Sequence, residues 1–182
     1  MYTKRNFYSM LRTMMFSALM CIAFAGIAQV NTYDVADLGY LRKPMESKSG
    51  LVLTNNRYSE IYLLQDGQLK TLVKGRGAGI YTQMSKDKTL VGFKSINDDD
   101  YQAPAVLHVA SGVVNILEDY VWECGQVSFA DDGTMAYTMG NNLVIRKGSD
   151  RKTYDLGFYT NIVNISPDAK RVAYGNIDGG YF

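Results

Sequence analysis

The sequence contains few of the residue types on which many protein functions depend. Among 182 residues there are two cysteines, three prolines, one histidine and one tryptophan, and 19 basic residues barely outnumber 18 acidic ones. Without a basic excess to follow a phosphate backbone, nucleic acid is not an expected partner. The histidine, His108, lies in an apolar run and is expected to be an ordinary strand residue. No nucleophile elbow, phosphate-binding loop or zinc-ligand spacing occurs, so we expect no catalytic residue, metal or cofactor.

The first 28 residues have the three parts of a secretory signal peptide. Lys4, Arg5 and Arg12 form a basic leader, residues 13–28 are apolar, and small residues precede a cleavage site before Gln29. The apolar run is shorter than the ~20 residues needed to span a bilayer. We therefore predict cleavage and export to the periplasm or elsewhere in the cell envelope. Cleavage removes the three cations and leaves 16 basic and 18 acidic residues, a net charge of −2.

The two cysteines have different expected fates. Cys21 lies in the apolar run, where a lipoprotein signal carries its lipidated cysteine, but Leu19 stands one place late and Met20 is bulky. Lipidation at Cys21 is therefore the lesser alternative. Removal of the signal leaves Cys124 as the only thiol, so no intrachain disulfide can form and stability must come from packing.

A segment that recurs three times is the strongest pattern in the sequence. Each copy has an apolar strand, a polar turn around an aspartate and a second apolar strand, and the copies centre on Asp87, Asp132 and Asp168. Spacings of 45 and 36 residues match one four-stranded propeller blade, and such a unit cannot bury both faces alone. The repeat therefore predicts an all-β chain of stacked blades. The pair Asp66-Gly67 between two apolar runs predicts a tight hairpin.

The third copy, residues 165–174 (ISPDAKRVAY), resembles the Ser-Pro-Asp-Gly signature of TolB-like, WD-repeat-like propellers of the bacterial envelope. The similarity covers about residues 50–174, although Lys88 and Ala169 stand where the family has glycine. The resemblance implies a β-propeller that acts as an interaction scaffold. We expect the aspartates to shape turns rather than bind metal, because each lies at the same point of a separate repeat.

We predict a signal peptide at 1–28, a lead-in strand and the start of a first blade at 29–49, and a partial propeller at 50–182. Its blades lie near 45–75, 78–117, 123–157 and 160–182, about three and a half blades of four strands, and the second begins with a strand near residues 80–84. This number cannot close into a ring, so we expect the sequence to be part of a longer chain. The alternative is self-association through the open blade face.

One set of loops is rich in aromatic residues. In a propeller, the loops between second and third strands and the connections between blades emerge on one face, and the aspartate turns emerge on the other. The first set carries Tyr58, Tyr101, Tyr120, Trp122, Phe158 and Tyr159. Aromatic residues on loops of a rigid scaffold predict a protein- or glycan-binding face. The alternative is that these rings pack over the junctions between blades.

Two function classes follow. The first is an exported, non-enzymatic propeller that serves as a protein-interaction scaffold in the cell envelope. The second is the gating propeller portion of a prolyl-oligopeptidase-type serine peptidase whose catalytic domain lies outside this sequence. A Gly-x-Ser-x-Gly segment encoded downstream of residue 182 would favour the peptidase, and further blades would favour the scaffold.

Overall fold

The structure is a computed structural model that describes residues 40–175. The predicted signal peptide, Cys21 and most of the predicted lead-in strand lie outside the described residues. Within the described range the chain forms fourteen β-strands and no helix. The strands build three four-stranded antiparallel sheets and one two-stranded sheet. The prediction of an all-β chain of successive blades is confirmed.

Each sheet is built from consecutive strands that pair in chain order. The first sheet contains β1 (Leu41–Ser47), β2 (Gly50–Asn55), β3 (Glu60–Gln65) and β4 (Gln68–Lys74). The second contains β5 (Gln83–Met84), β6 (Leu90–Ile96), β7 (Gln102–His108) and β8 (Val113–Ile116). The third contains β9 (Ser128–Phe129), β10 (Met135–Met139), β11 (Asn142–Lys147) and β12 (Asp150–Asp155). The two-stranded sheet contains β13 (Val163–Ile165) and β14 (Val172–Tyr174).

The hairpin between β3 and β4 shows how local sequence sets a turn. Gln65 pairs with Gln68, so Asp66 and Gly67 alone connect the two strands. Both turn residues have positive φ, 49° for Asp66 and 74° for Gly67. This conformation twists in the same sense as the strands, and it suits glycine and, to a lesser degree, aspartate. The predicted tight hairpin is confirmed.

The repeated aspartates fold back onto their own turns. In the first and third copies the serine hydroxyl two residues earlier donates to the carboxylate at 2.6 Å, and the amide two residues later donates at 3.2 Å. These serine hydroxyls hold the pKa of Asp87 and of Asp168 below the ordinary value. The residue after each aspartate has positive φ: 60° at Lys88, 80° at Gly133 and 58° at Ala169. The carboxylates therefore stabilise reversals of the chain.

The sheets pack face to face in chain order. The first strands of successive sheets are neighbours, since β1 contacts β5, β5 contacts β9 and β9 contacts β13. A buried apolar cluster lies between each pair of successive sheets. Between the first and second sheets, for example, Val52 and Ile61 meet Val91 and Phe93. First strands on the inside and sheet faces packed against each other are the arrangement of propeller blades.

Gly92 lies at a close contact between the second and third sheets. A β-carbon at this position would lie 2.7 Å from Cβ of Val127 and 3.0 Å from the ring of Phe129. The separation of the two sheets at this point therefore depends on the absence of a side chain.

No helix of the described range could span a membrane, because none is long and apolar enough.

Candidate functional site

All six predicted site aromatics lie in connections that leave the sheets at the same edge. Strands alternate in direction, so loops after second strands emerge beside the connections between sheets, opposite the aspartate turns. We define the loop face as residues 56–59, 75–82, 97–101, 117–127, 140–141 and 156–162. It carries Tyr58 after β2, Tyr101 after β6, Tyr120 and Trp122 after β8, and Phe158 and Tyr159 after β12.

Three of these residues form the aromatic cluster, defined as Tyr101, Tyr120 and Trp122. The rings of Tyr101 and Trp122 meet edge to face, with centroids 6.0 Å apart and an interplanar angle of 82°. Trp122 is 65% exposed and Tyr101 is 43% exposed. Tyr120 is anchored by a 2.8 Å hydrogen bond between its hydroxyl and that of Ser95. Large apolar rings thus remain accessible on a supported surface.

The backbone holds the aromatic cluster in place. Gln102 and Val121 form an isolated antiparallel bridge, with the Val121 amide donating to the Gln102 carbonyl at 2.9 Å and the reverse bond at 2.6 Å. This bridge ties the β8–β9 connection to the start of β7, next to Tyr101. Beside it, residues 116–120 line an open groove of about 470 Å³. The cluster is therefore preorganised by main-chain contacts as well as by ring contacts.

The other three predicted aromatics have different neighbours. The hydroxyl of Tyr58 accepts a 3.2 Å hydrogen bond from the guanidinium of Arg42. Phe158 packs against Tyr174 at a centroid distance of 6.0 Å and a tilt of 47°. Tyr159 is half-buried, and its hydroxyl donates to the carbonyl oxygen of the buried Cys124 at 2.9 Å. The structure thus brings the rings of Tyr101 and Trp122 into contact, places Tyr120 two residues before Trp122, and gives the other three separate surroundings.

A buried lysine lies below the loop face. Lys94, near the end of β6, is 5% exposed. Its ammonium donates to Oδ1 of Asn161 at 2.8 Å and lies 3.5 Å from the hydroxyl of Tyr159. The ring of Tyr81 is centred 5.5 Å from the same Nζ. We call Lys94, Tyr81, Tyr159, Asn161 and Cys124 the Lys94 site.

Three connections between sheets converge on this site. Tyr81 precedes β5, Cys124 precedes β9, and Tyr159 and Asn161 precede β13. The Tyr159 hydroxyl also lies 2.9 Å from the carbonyl oxygen of Cys124 and 2.5 Å from Oδ1 of Asn161. The strands that follow these connections are the first strands of their sheets. The Lys94 site therefore lies at the inner end of the loop face.

Burial dominates the electrostatics of the Lys94 site. It lowers the pKa of Lys94, while Cys124 and Glu123 act in the opposite direction. Burial also raises the pKa of the Cys124 thiol to about 11, so the thiol is uncharged at neutral pH. Burial likewise raises the pKa of Tyr159. Because the thiol is uncharged, Glu123 is the acidic group that raises the pKa of the Lys94 amine. No ion pair of the described range includes Lys94.

Tyr81 has a backbone conformation that is uncommon for a bulky residue. Its φ is 50°, in the left-handed region. The sequence predicted a strand from about residue 80, but residues 77–81 form turns, in which the amide of Ile80 donates to the carbonyl of Gly77 at 2.8 Å. The positive φ of Tyr81 causes this difference, because it lies inside the predicted strand and is incompatible with extended backbone. The turn places the ring of Tyr81 over Lys94.

Glu118 is a second partly buried charge, and its surroundings contrast with those of Lys94. Its Oε1 accepts hydrogen bonds from the hydroxyl of Tyr137 at 2.6 Å and from Nε of Arg151 at 2.9 Å. Burial alone raises the pKa of Glu118, but these hydrogen bonds and the nearby arginines outweigh burial and lower it. Burial, followed by the bond to Glu118, raises the pKa of Tyr137. Glu118 is a compensated charge that ties the second and third sheets together.

Acidic and histidine side chains elsewhere have ordinary structural partners. Asp100 pairs with Arg76, and the Asn97 side chain accepts backbone amides of its own loop at 2.9 and 3.1 Å. His108 is exposed, and its Nε2 lies 3.2 Å from the side-chain amide nitrogen of Asn115. Between residues 40 and 175, no group of three or more His, Cys, Asp or Glu side chains is placed to hold a metal ion.

Sequence reasoning did not identify Lys94 as a site residue. In β6, Val91 and Phe93 pack against the first sheet, whereas Gly92 faces Val127, which precedes β9, and Phe129 of the third sheet. Lys94 lies two residues after Gly92, so the strand alternation places it on the same inter-sheet face. A single cation at an inward position of an apolar strand was the signal that could have found it.

The described sheets form part of a β-propeller. In fold the chain is similar to TolB from Acinetobacter baumannii, with a TM-score of 0.56 and 13% identity over 79% of this chain and 40% of TolB. It is also similar to virginiamycin B lyase from Staphylococcus aureus, with a TM-score of 0.50 and 11% identity over 78% of this chain and 54% of the lyase. The chain thus spans about half the length of these structures, or less. No family model and no curated protein sequence matches the chain.

Proposed function

We propose that this chain belongs to an exported, non-enzymatic β-propeller that serves as a protein-interaction scaffold in the bacterial cell envelope. The observation that carries this proposal is the exposed and preorganised aromatic cluster on the loop face. Tyrosine and tryptophan bury large areas with few rotatable bonds and are enriched among the residues that dominate interface energies. The signal-like N-terminus and the resemblance of the repeat to TolB-like envelope propellers support the location.

A second candidate is the gating propeller portion of a prolyl-oligopeptidase-type peptidase. The partial coverage of both similar structures favours a longer parent protein, to which a catalytic domain could belong. The two candidates differ in what the gene encodes after residue 182. A Gly-x-Ser-x-Gly segment in a strand-turn-helix context supports the peptidase, and additional aspartate-turn repeats support the scaffold.

Site-specific photo-crosslinking in the producing cells tests the scaffold proposal. One variant carries p-benzoylphenylalanine in place of Trp122, and the matched control carries it in place of Tyr154, which is 51% exposed on β12 and outside the loop face. We expect discrete adducts with envelope proteins at position 122 and none at position 154. Addition of Tyr101→Ala should remove the adducts without changing the circular dichroism spectrum. Equal adducts at both positions, or none at either, would contradict the proposal.

A further inference from the structure

The ammonium group of Lys94 has fewer acceptors than it has donors. A lysine ammonium carries three N–H donors. Among residues 40–175, Oδ1 of Asn161 accepts at 2.8 Å and the hydroxyl of Tyr159 lies at the 3.5 Å limit of a hydrogen bond. At least one N–H therefore has no acceptor among the described residues. Since the side chain is 95% buried, bulk water does not readily replace the missing acceptor.

The charge of Lys94 is also incompletely compensated. A buried charge is tolerated when an opposite charge and hydrogen bonds surround it, as they do around Glu118. Lys94 instead has one amide oxygen, one hydroxyl and the face of Tyr81, and the Glu123 carboxylate lies more than 4.0 Å away. An anion that reached Nζ would supply both the missing charge and the missing acceptor.

Tyr81 controls access to the amine from the loop face. Its ring lies over Nζ and is 42% exposed, so it stands between Lys94 and solvent. Because Tyr81 lies in a connection between sheets, we expect rotation about its side-chain bonds to expose the amine. Residues of three inter-sheet connections surround the amine, and these connections also carry Tyr120, Trp122 and Phe158 of the loop face.

A carboxylate suits the site better than a phosphate. The single positive charge of one lysine ammonium, which has at least one unpaired N–H donor, matches the single charge of a carboxylate. A phosphate group carries up to two charges and is usually bound by arginine or by several donors. Here the nearest acidic side chain, Glu123, would repel the second charge. A peptide C-terminus and an acidic side chain offer the same chemistry, and both occur on protein surfaces.

We propose that the Lys94 site binds a carboxylate of a protein partner, with Nζ of Lys94 as the donor and Tyr81 as a displaceable cover. The identity of the ligand as a protein rests on the proposed function, whereas the carboxylate chemistry rests on the Lys94 site alone. Partner binding then combines apolar contact at the aromatic cluster with one charged contact at the inner end of the loop face.

Titration of the purified full chain with three small peptides tests the proposal. The protein carries carbon-13-labelled lysine, and the Cε signal of Lys94 is followed by NMR. The probes are acetyl-Ala-Ala-Ala with a free C-terminus, the same peptide amidated, and amidated acetyl-Ala-Glu-Ala. We expect a saturable shift with at least one carboxylate probe and none with the amidated alanine peptide. The stronger carboxylate probe identifies whether a C-terminus or a side chain is preferred.

The protonation of Lys94 gives a second readout. The titratable groups that face Nζ are Tyr81, Tyr159, Cys124 and Glu123, so the titration is followed at Lys94 itself. A bound carboxylate favours the charged amine and should raise the measured pKa of Lys94 by about one unit. Saturable binding without such a rise would overturn the assignment of the carboxylate to Lys94.

Variants separate binding from a purely structural role. Lys94→Met should weaken the carboxylate probe about tenfold or more, whereas Lys70→Met, which removes an exposed cation of β4, should not. Should Lys94→Met fail to fold, Tyr81→Ala serves instead and should tighten binding several-fold by removing the cover. Binding unchanged by Lys94→Met or by Tyr81→Ala, or equal binding of the amidated peptide, would overturn the proposal. Adducts at position 122 without carboxylate binding would overturn this site and leave the scaffold proposal standing.

Discussion

Substitution of Gly92 by alanine tests the packing of the second sheet against the third. The new methyl would lie 2.7 Å from Cβ and 3.1 Å from Cγ1 of Val127, and 3.0 Å from the ring of Phe129. Carbon atoms pack best at about 3.5–4.0 Å, and Cβ of Val127 is fixed to the backbone, so the third sheet must shift. Overpacking costs about 1–3 kcal/mol, and removing a strand glycine returns about 0.5–1 kcal/mol. We expect Gly92→Ala to lower the free energy of unfolding by about 1–2 kcal/mol.

Urea unfolding of the full chain, followed by far-ultraviolet circular dichroism, measures this change. Gly75→Ala is the matched control, because Gly75 has no positive φ and, apart from its chain neighbours, no atom lies within 4 Å of the place that a β-carbon would take. The control should stay within about 0.5 kcal/mol of wild type. The slope of the unfolding free energy against urea concentration should be equal in all three proteins, so the difference in stability appears as a shift of the unfolding midpoint. Equal midpoints for the two variants would refute the close packing at Gly92.

Two further predictions concern buried groups. Because burial raises the pKa of Cys124 from 9.0 to about 11, its contribution to stability is complete below pH 9 and is lost as pH rises toward 11. We expect the free energy of unfolding of Cys124→Ala, measured with urea at several pH values, to fall about 2–3 kcal/mol less than that of wild type between pH 9 and 11. Parallel pH curves for the two proteins would contradict this prediction. Tyr137→Phe removes a donor to Glu118 and should cost about 1.5–3 kcal/mol near pH 7. The loss of unfolding free energy in Tyr137→Phe should become smaller in acid, because protonation of Glu118 removes the charge that the hydrogen bond stabilises. Tyr154→Phe, at an exposed position, is the control, and a loss that does not change with pH would contradict the hydrogen bond to a charged Glu118.

The fold could be predicted because its signals are local. The Asp66-Gly67 hairpin needs only its two turn residues and the apolar strands beside them. The repeat around Asp87, Asp132 and Asp168 places hydrogen-bonding groups within two residues of each carboxylate. The strand predicted near residue 80 was too long, because the apolar pattern of residues 80–84 does not indicate the positive φ of Tyr81.

The site could be predicted only in part. The order of strands places aromatic loops on one face, but the contact between Tyr101 and Trp122 depends on the backbone bridge beside them. Strand alternation could have marked Lys94 as an inward-facing cation, but its partners could not be predicted, because Lys94 and Asn161 are 67 residues apart and meet through the packing of different sheets. Neither residue belongs to a motif, so only the three-dimensional arrangement connects them.

The pairing of strands in chain order has a consequence for how the protein is made. Each sheet uses one unbroken stretch of chain, such as residues 41–74 for the first, and each packs on the sheet next in sequence. Contacts at short sequence separation cost little loop-closure entropy and favour rapid folding. A nascent chain can therefore complete one blade while the next is still being synthesised, and the newest blade is the one with an uncovered face.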